Sequence, residues 1–396
     1  MRRSLLLPCI RSRIHHHARK RKQSIPCINR PVAIELNRLP RQQQAISFSS
    51  DTTSGASSPE YDDVAVATKS KIHIAKSSFG RTNDTIARLD DSAENDDPTV
   101  IVDTLLERTK QLMDGYTQHY VAFSGGVDSS LVAALIHMCS HEAAESATKG
   151  QQHDVHAILG LSPAVSKEQV QLAKQVASHI GVTLEQIYTT EGTDKVYIAN
   201  TGNACYACKT HLYTCMTSII NHASNKPSTF SSGRDGTGKI RLYNGTNADD
   251  LLDKTRSGLI AANEHNVQSP LKHITKKQVR IASKHLGLPN WNYAASPCLR
   301  SRLALGVNAT PIELQRIEKA ERYIRQQFNV SIEDNLRVRL LSKNRAMIEI
   351  DPTYMGTLSS TTSKEDPGSF VAYLRDELGF ASVGIRAFRS GSVASR

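Results

Sequence analysis

The chain has 396 residues, enough for two or three domains, and its 39% hydrophobic content supports a folded core. It holds no apolar run long enough to cross a bilayer as a helix. The net charge of +11 suggests a nucleic-acid partner at first sight. However, the eleven basic residues from Arg2 to Arg41 face Glu35 alone, so that stretch carries +10 and the remaining body is a poor electrostatic footprint for RNA or DNA.

Residues 1–50 are Arg-rich, Ser-containing and almost free of acids, the composition of an organellar transit peptide. Composition does not separate mitochondrion from plastid; the mitochondrion is the working assignment. A basic tail without a targeting role is the plain alternative. Residues 51–97 are polar and aperiodic, which predicts a disordered linker. Residues 98–116 carry Val102, Leu105, Leu106, Leu112 and Met113 at helical spacing. They open a domain over 98–295. Residues 120–123 read as a buried strand, 124–130 (SGGVDSS) as a glycine turn, and Leu131, Val132, Ala134, Leu135 and Ile136 as a buried helix. A strand over 155–161 follows. Ser166 with Gln169 then makes a capping box for a helix that stops at Gly181. Residues 184–188 and 240–243 are strands, 203–221 a helix and 225–238 a surface loop. Thr275 with Gln278 caps a helix ending before Gly287 and Pro289. Alternating strands and helices predict an α/β fold, a doubly wound parallel sheet with helices on both faces.

From residue 296 to 396 the pattern predicts a smaller C-terminal α+β domain. Residues 311–328 form an amphipathic helix with Ile312, Ile317, Ala320, Ile324 and Phe328 on one side. Strands 336–341 and 346–350 pair as a hairpin, followed by a helix over 370–378 and a strand over 382–388.

Strand, glycine turn and helix together hold phosphate, because backbone N–H groups and the helix N-terminus point at the anion. Ser124, Gly125, Gly126, Val127, Asp128, Ser129 and Ser130 are therefore the candidate ATP-binding residues. No lysine follows the glycines, so this is not a Walker A loop. The pattern resembles the PP-loop of the N-type ATP pyrophosphatases, which split ATP between its α and β phosphates. The NGTNADD segment, 244–250, follows a strand at the same sheet edge. Thr246 and Asn247 are nucleotide candidates there, and Asp249 or Asp250 suits Mg²⁺ or the orientation of Arg256, with Asp128 a second Mg²⁺ candidate. A helix N-cap alone explains the segment equally well.

The seven cysteines include one CxxC, Cys205 and Cys208, open to readings as a zinc half-site, a redox pair or cluster ligands. Cys215 lies further along the same helix, either on the face of Cys208 or as a buried core thiol. Cys298 sits in AASPCLRSR beside Arg300 and Arg302, whose charge favours a thiolate; it suits a nucleophile or a metal ligand, with an inert buried cysteine the alternative.

SGGVDSS, NACYACK, NGTNADD, Ser269-Pro270-Leu271, ASPCLRSR and FRSGS occur in this order, and over roughly residues 98–392 the chain resembles the LarE family of ATP-dependent sacrificial sulfur transferases. Where that family has tyrosine-glycine after the cysteine segment, this chain has Ala304-Leu305-Gly306. The resemblance implies a role in nickel-pincer nucleotide cofactor synthesis. ATP with Mg²⁺ adenylates a carboxylate of pyridinium-3,5-biscarboxylic acid mononucleotide and pyrophosphate leaves. Sulfur then attacks, AMP departs and a thiocarboxylate forms. The family has two sulfur sources. In one, the cysteine matching Cys298 gives up its sulfur and becomes dehydroalanine. In the other, cysteines matching Cys205, Cys208 and Cys298 hold a 4Fe-4S cluster, and the presence of all three favours this form. The resemblance also implies a homo-oligomer acting on a small nucleotide, with neither nucleic acid nor membrane as partner. Arg256, Arg302, Arg337, Arg339 and Glu349 are the candidate substrate-binding residues. The competing readings are a tRNA thiolation enzyme, an ammonia-using ligase like the NAD and GMP synthetases, and a scaffold without turnover.

Overall fold

The structure, a computed structural model, describes residues 96–146, 153–224, 239–253, 256–360 and 369–389. The expected leader, nearly all of the expected linker and the 225–238 loop lie outside the described residues. In chain order come helix α1 (Pro98–Met113), strand β1 (Gln118–Ala122), helix α2 (Val127–Ser146), strand β2 (Asp154–Leu161), helix α3 (Lys167–Ile180) and strand β3 (Thr183–Tyr188). Then follow α4 (Lys195–Ala199), α5 (Ala204–Ser224), β4 (Ile240–Tyr243), α6 (Ala248–Leu252), α7 (Gly258–Glu264) and α8 (Lys276–His285). The remainder holds α9 (Pro311–Gln327), β5 (Leu336–Leu341), β6 (Arg345–Ile350), α10 (Met355–Ser360), α11 (Phe370–Ala372) and β7 (Ser382–Ala387).

The first four strands form one parallel sheet in the order β3-β2-β1-β4. The chain winds outward from β1 to β3, then returns to the other side of β1. The carboxyl end of β1 is therefore the topological switch point, where doubly wound sheets bind ligands. Both sheet faces are covered. Val121, Phe123, Leu131, Leu135, Val176, Ile180 and Val279 join one core under α1, α2, α3 and α8. Tyr120, Ile158, Tyr213, Met216 and Ala261 form the other, under α5 and α7. Burial of each large apolar side chain contributes about 1.5–3 kcal/mol, which fixes the strand ends that carry the loops. The α/β expectation holds.

The second sheet runs β5-β6-β7, with β5 and β6 an antiparallel hairpin and β7 parallel to β6. Its core takes Leu314, Ile317, Ala320 and Ile324 from α9. Ile312, expected on that face, is 70% exposed, because the buried stripe begins one turn phase later at Leu314. The expected 370–378 helix is a short α11 continued by a π turn over Tyr373–Glu377. At the start of α3, Ser166 accepts the Gln169 N–H. The Gln169 side chain does not close the box but reaches the carbonyl of Ser124.

Candidate nucleotide and sulfur site

The glycine turn is built so that its carbonyls point into the protein. Gln169 Nε2 donates to the Ser124 carbonyl, and Asn290 Nδ2 donates to the Gly125 carbonyl at 2.7 Å. The Gly126 carbonyl accepts the Ser129 and Ser130 hydroxyls at 3.0 and 2.9 Å. With the negative ends satisfied elsewhere, the positive N-terminus of α2 is left at the carboxyl end of β1, as an anion site requires. Gly125 has φ +72°, and a Cβ there would meet the Cα of Ala173 at 2.7 Å, so only glycine fits between the turn and α3.

The NGTNADD loop closes on this turn. A Cβ on Gly245 would lie 2.7 Å from the Asp128 Cβ. Thr246 and Asn247 are buried. Asn247 Nδ2 donates to Asp128 Oδ1 at 3.0 Å, and Asn247 forms a full capping box with Asp250. Asp250 is paired with Arg256 at 2.7 Å, as the sequence suggested, and burial raises its carboxyl pKa. Asp249 Oδ2 instead accepts the backbone N–H of Lys276 at 3.0 Å. Lys276 Nζ is paired with Asp128 Oδ2. Mg²⁺ takes hard oxygens and needs only one or two carboxylates beside phosphate and water. Asp128, at the edge of the turn, fits that requirement. Asp249 is exposed and engaged with α8.

The sulfur side starts at the same sheet edge. Leu299 donates its N–H to the carbonyl of Ala164, in the loop after β2, at 2.8 Å, and so brings Cys298 over that edge. Cys205 and Cys208 lie in the first turn of α5. Cys298 and Cys205 are exposed. The thiol of Cys208 is pushed up to about 12, by burial first and then by the Glu191 carboxylate, to which it donates at 3.9 Å. Glu191 is 2% exposed and its Oε2 has no hydrogen-bond partner. The hydroxyl pKa of Tyr197 is raised by burial, then by Cys298 and Cys208.

Arg300 is electrostatically coupled to Cys298, as expected, but the hydrogen bonds of the two arginines go elsewhere. Arg300 donates to Cys205 Sγ at 3.0 Å and to Asn200 Oδ1 at 2.6 Å. Burial pulls its pKa down, but Cys205, Cys298 and Tyr197 together outweigh it and leave it raised. Arg302 is buried, pairs with Glu321 at 2.9 Å and braces the carbonyls of Pro297 and Cys298. The Arg302 guanidinium therefore holds the backbone of the cysteine loop, and Arg300 ties the loop to Cys205 and Asn200. For a 4Fe-4S cluster the donor type is right. Yet no three Cys, His, Asp or Glu side chains converge on a metal position among the described residues, and the Cys208 thiol donates to the buried Glu191 carboxylate. The set does not fit a cluster as it stands. Cys215 is buried in the core under α5.

Of the hairpin candidates, Arg339 and Glu349 are buried and paired at 2.6 Å, and Glu349 also holds Arg386. They act as internal braces. Arg337 is half-buried, donates to the Ala295 carbonyl at 3.3 Å and lies 4.7 Å from the Phe388 ring centre. Its pKa is pulled down to about 10 by burial, then by Arg302 and Arg339. A carboxylate or phosphate arriving there would relieve that repulsion.

Sequence reasoning missed Lys276, Gln169 as a loop brace, Asn290 and Glu191. One signal was available: Lys276 and Lys277 open a helix, where a cation opposes the dipole. Asn290 gave none.

The tRNA methyl transferase HUP domain family matches residues 117–221. An uncharacterized protein of Synechocystis, slr1717, is 34% identical over 255 residues, covering 64% of this chain and 83% of that protein. The pyridinium-3,5-bisthiocarboxylic acid mononucleotide synthase of Lactiplantibacillus plantarum is 27% identical over 52% of this chain and 66% of its own. Among solved structures, the NMN synthetase of Francisella tularensis aligns with a TM-score of 0.36 and 14% identity, over 50% of this chain and 76% of that one. The Synechocystis relative shows the family to which the chain belongs, and the HUP-domain and synthase matches, with the switch-point glycine turn, make it a LarE-like PP-loop enzyme.

Proposed function

We propose that the enzyme thiolates a carboxylate of a pyridinium biscarboxylate mononucleotide, the step that prepares a nickel-pincer nucleotide. The observation that carries this reading is the shared sheet edge: the phosphate turn after β1 and the Cys298 loop fastened over the end of β2. A carboxylate is a poor electrophile, and an acyl adenylate gives it a good leaving group. The SGGVDSS turn holds the ATP phosphates, with Thr246 and Asn247 walling the nucleotide. Mg²⁺ bound at Asp128 would offset charge on the departing pyrophosphate. Arg337 supplies the unrelieved positive charge for the substrate's anionic groups, with Arg302, Arg339 and Glu349 holding the neighbouring backbone and charges. Arg256 orients the nucleotide loop through Asp250.

Cys298 Sγ then attacks the acyl carbon, AMP leaves and a thioester remains. Loss of the Cys298 Cα proton with cleavage of its Cβ–S bond releases the thiocarboxylate and leaves dehydroalanine. The exposure of Cys298 and the poor fit of the three cysteines to a cluster support this source. The second sulfur source, a cluster on Cys205, Cys208 and Cys298, is the reading that iron and sulfide analysis would restore. The domain limits 98–295 and 296–396, the oligomer and the organellar address belong to the same proposal.

Anaerobic incubation with ATP, Mg²⁺ and the biscarboxylate nucleotide tests the reading. The expected products are AMP, pyrophosphate and a thiocarboxylate nucleotide by mass spectrometry, from iron-free protein. Thiolation of unmodified tRNA in its place would transfer the enzyme to the tRNA class, and activity that tracks bound iron and sulfide would select the cluster.

A further inference from the structure

The proposed transfer consumes the sulfur of Cys298, so on its own it yields a single product per chain. That sulfur must be returned before the protein can act again, and a second exposed thiol is tied to the loop that loses it. We propose that Cys205 is a sulfur carrier: loaded as a persulfide by a small sulfane-sulfur donor, it adds its outer sulfur to dehydroalanine at position 298 and so restores the cysteine. This goes beyond the sacrificial reading above and rests on it.

Three observations support the assignment. First, the cysteine loop is fastened to Cys205 itself. Arg300, two residues after Cys298, donates to Cys205 Sγ at 3.0 Å and to Asn200 Oδ1 at 2.6 Å, and it is electrostatically coupled to Cys298. Asn200 is buried and also donates to the carbonyls of Ala304 and Val307, at 2.9 and 3.2 Å. The segment after Cys298 therefore stays docked on the turn that leads into α5, and one guanidinium serves both thiols. An outer sulfur extends a cysteine by about 2 Å, the length of an S–S bond. Second, the cation suits the cargo. A persulfide ionises more readily than a thiol, and a hydrogen bond from a guanidinium to an anion is about twice as strong as one between neutral groups. Third, the other thiol of the CxxC is unsuited to the role. Cys205 and Cys298 are exposed, whereas Cys208 is half-buried and its thiol donates at 3.9 Å to the buried Glu191. A second anion beside that carboxylate would be repelled. Of the pair, Cys205 is the one a donor from solvent can load.

Atoms and electrons balance in three steps. The Cys205 thiol takes the outer sulfur of a small persulfide, whose remainder leaves as a thiol. The S–H of the Cys205 persulfide then adds across the Cα–Cβ double bond of dehydroalanine, sulfur to Cβ and hydrogen to Cα, which gives a disulfide between residues 205 and 298 with no net oxidation. A small dithiol reduces that disulfide with two electrons and two protons, and both cysteines return as thiols.

Glutathione persulfide with a heavy-isotope outer sulfur tests this on the full chain. The protein is taken through one anaerobic turnover with ATP, Mg²⁺ and the biscarboxylate nucleotide, freed of reagents and then given the labelled donor. Peptide mapping without reductant should show a Cys205–Cys298 disulfide, and after dithiothreitol the heavy sulfur should reside on Cys298. A second turnover should then yield heavy thiocarboxylate. In Cys205→Ser the heavy sulfur gained at position 298, counted per dehydroalanine formed, should be lost. Equal labelling in Cys205→Ser, or wild-type dehydroalanine that takes up no label, would overturn the carrier and leave the proposed function standing. Absence of dehydroalanine after the first turnover refutes the proposed function before any donor is added, and the carrier with it.

Discussion

The glycine turn after β1 and the cysteine loop fastened after β2 are held differently. The glycine turn is gripped on every side: its carbonyls are tied to Gln169, Asn290, Ser129 and Ser130, and Gly125 and Gly245 leave no room for a methyl group. The cysteine loop is held more sparsely, with Ala294 donating to the Ile332 carbonyl and Arg337 to that of Ala295, each at 3.3 Å. Arg280 holds the carbonyls of Trp291 and Tyr293, and Arg302 those of Pro297 and Cys298, while residues 295–298 stay exposed. Phosphate binding gains from rigid, pre-aimed donors, because the ligand is always the same. Sulfur delivery requires a nucleophile that reaches an acyl carbon and then withdraws. The contrast teaches that the chain invests its close packing in the nucleotide half and its freedom in the sulfur half.

The largest effect should separate the two halves. Cys298→Ala should remove thiocarboxylate formation altogether and leave substrate-dependent ATP–pyrophosphate exchange within about threefold, since adenylation needs no thiol. A comparable fall in exchange would mean the two loops are not separable.

Gly245→Ala attacks the rigid half. The added methyl meets Asp128 Cβ at 2.7 Å and the Ser129 nitrogen at 2.8 Å, both in or beside backbone that cannot yield cheaply. Overpacking of this kind costs about 1–3 kcal/mol. ATP affinity should fall about tenfold or more, read by calorimetry, with thiol reactivity of Cys298 unchanged. The same loss of ATP affinity is expected, at smaller size, from Asn290→Ala. That change removes the donors to Gly125 O and Ser130 Oγ and costs about 1–3 kcal/mol of stability, seen as a lower midpoint in urea.

How far the sequence carried these conclusions follows from the range of the interactions. The β1–turn–α2 unit, the helix caps and the hairpin were legible because each is written within a few neighbouring residues. The register of α9 slipped to Ile312 because periodicity gives a stripe and not its phase against an unseen partner. Arg300 bonds Cys205, 95 residues away, as well as lending its charge to Cys298; Asn290 reaches Gly125 across 165. Strand alternation gave Arg339 and Glu349 a common face, yet only the cover over that face decides that they are buried. Such long-range pairings leave no local trace, apart from a lysine set against a helix dipole.

The smallest predicted effect lies at the opposite end of the sheet, which should be uninvolved in catalysis. His119 is buried between Tyr243 and His153, at 3.0 and 2.9 Å, and its pKa is lowered to about 4 by burial, then by His153 and Arg241. A histidine kept neutral in the fold takes up protons on unfolding. Its contribution is therefore complete above the ordinary pKa near 6.5 and is lost as pH falls towards 4, by up to about 3 kcal/mol. Stability of the wild type should drop across that window, and His119→Gln should flatten the slope with ATP binding unaltered at pH 7.

The central claim is that the nucleotide held by the turn and the sulfur on Cys298 belong to one reaction. Peptide mass spectrometry of Cys298 after a single anaerobic turnover, with the nucleotide product weighed in the same sample, tests it most directly. The account predicts one thiocarboxylate for each Cys298 that has lost the elements of H₂S. Thiocarboxylate formed while Cys298 stays intact, or formed by Cys298→Ala, would contradict it.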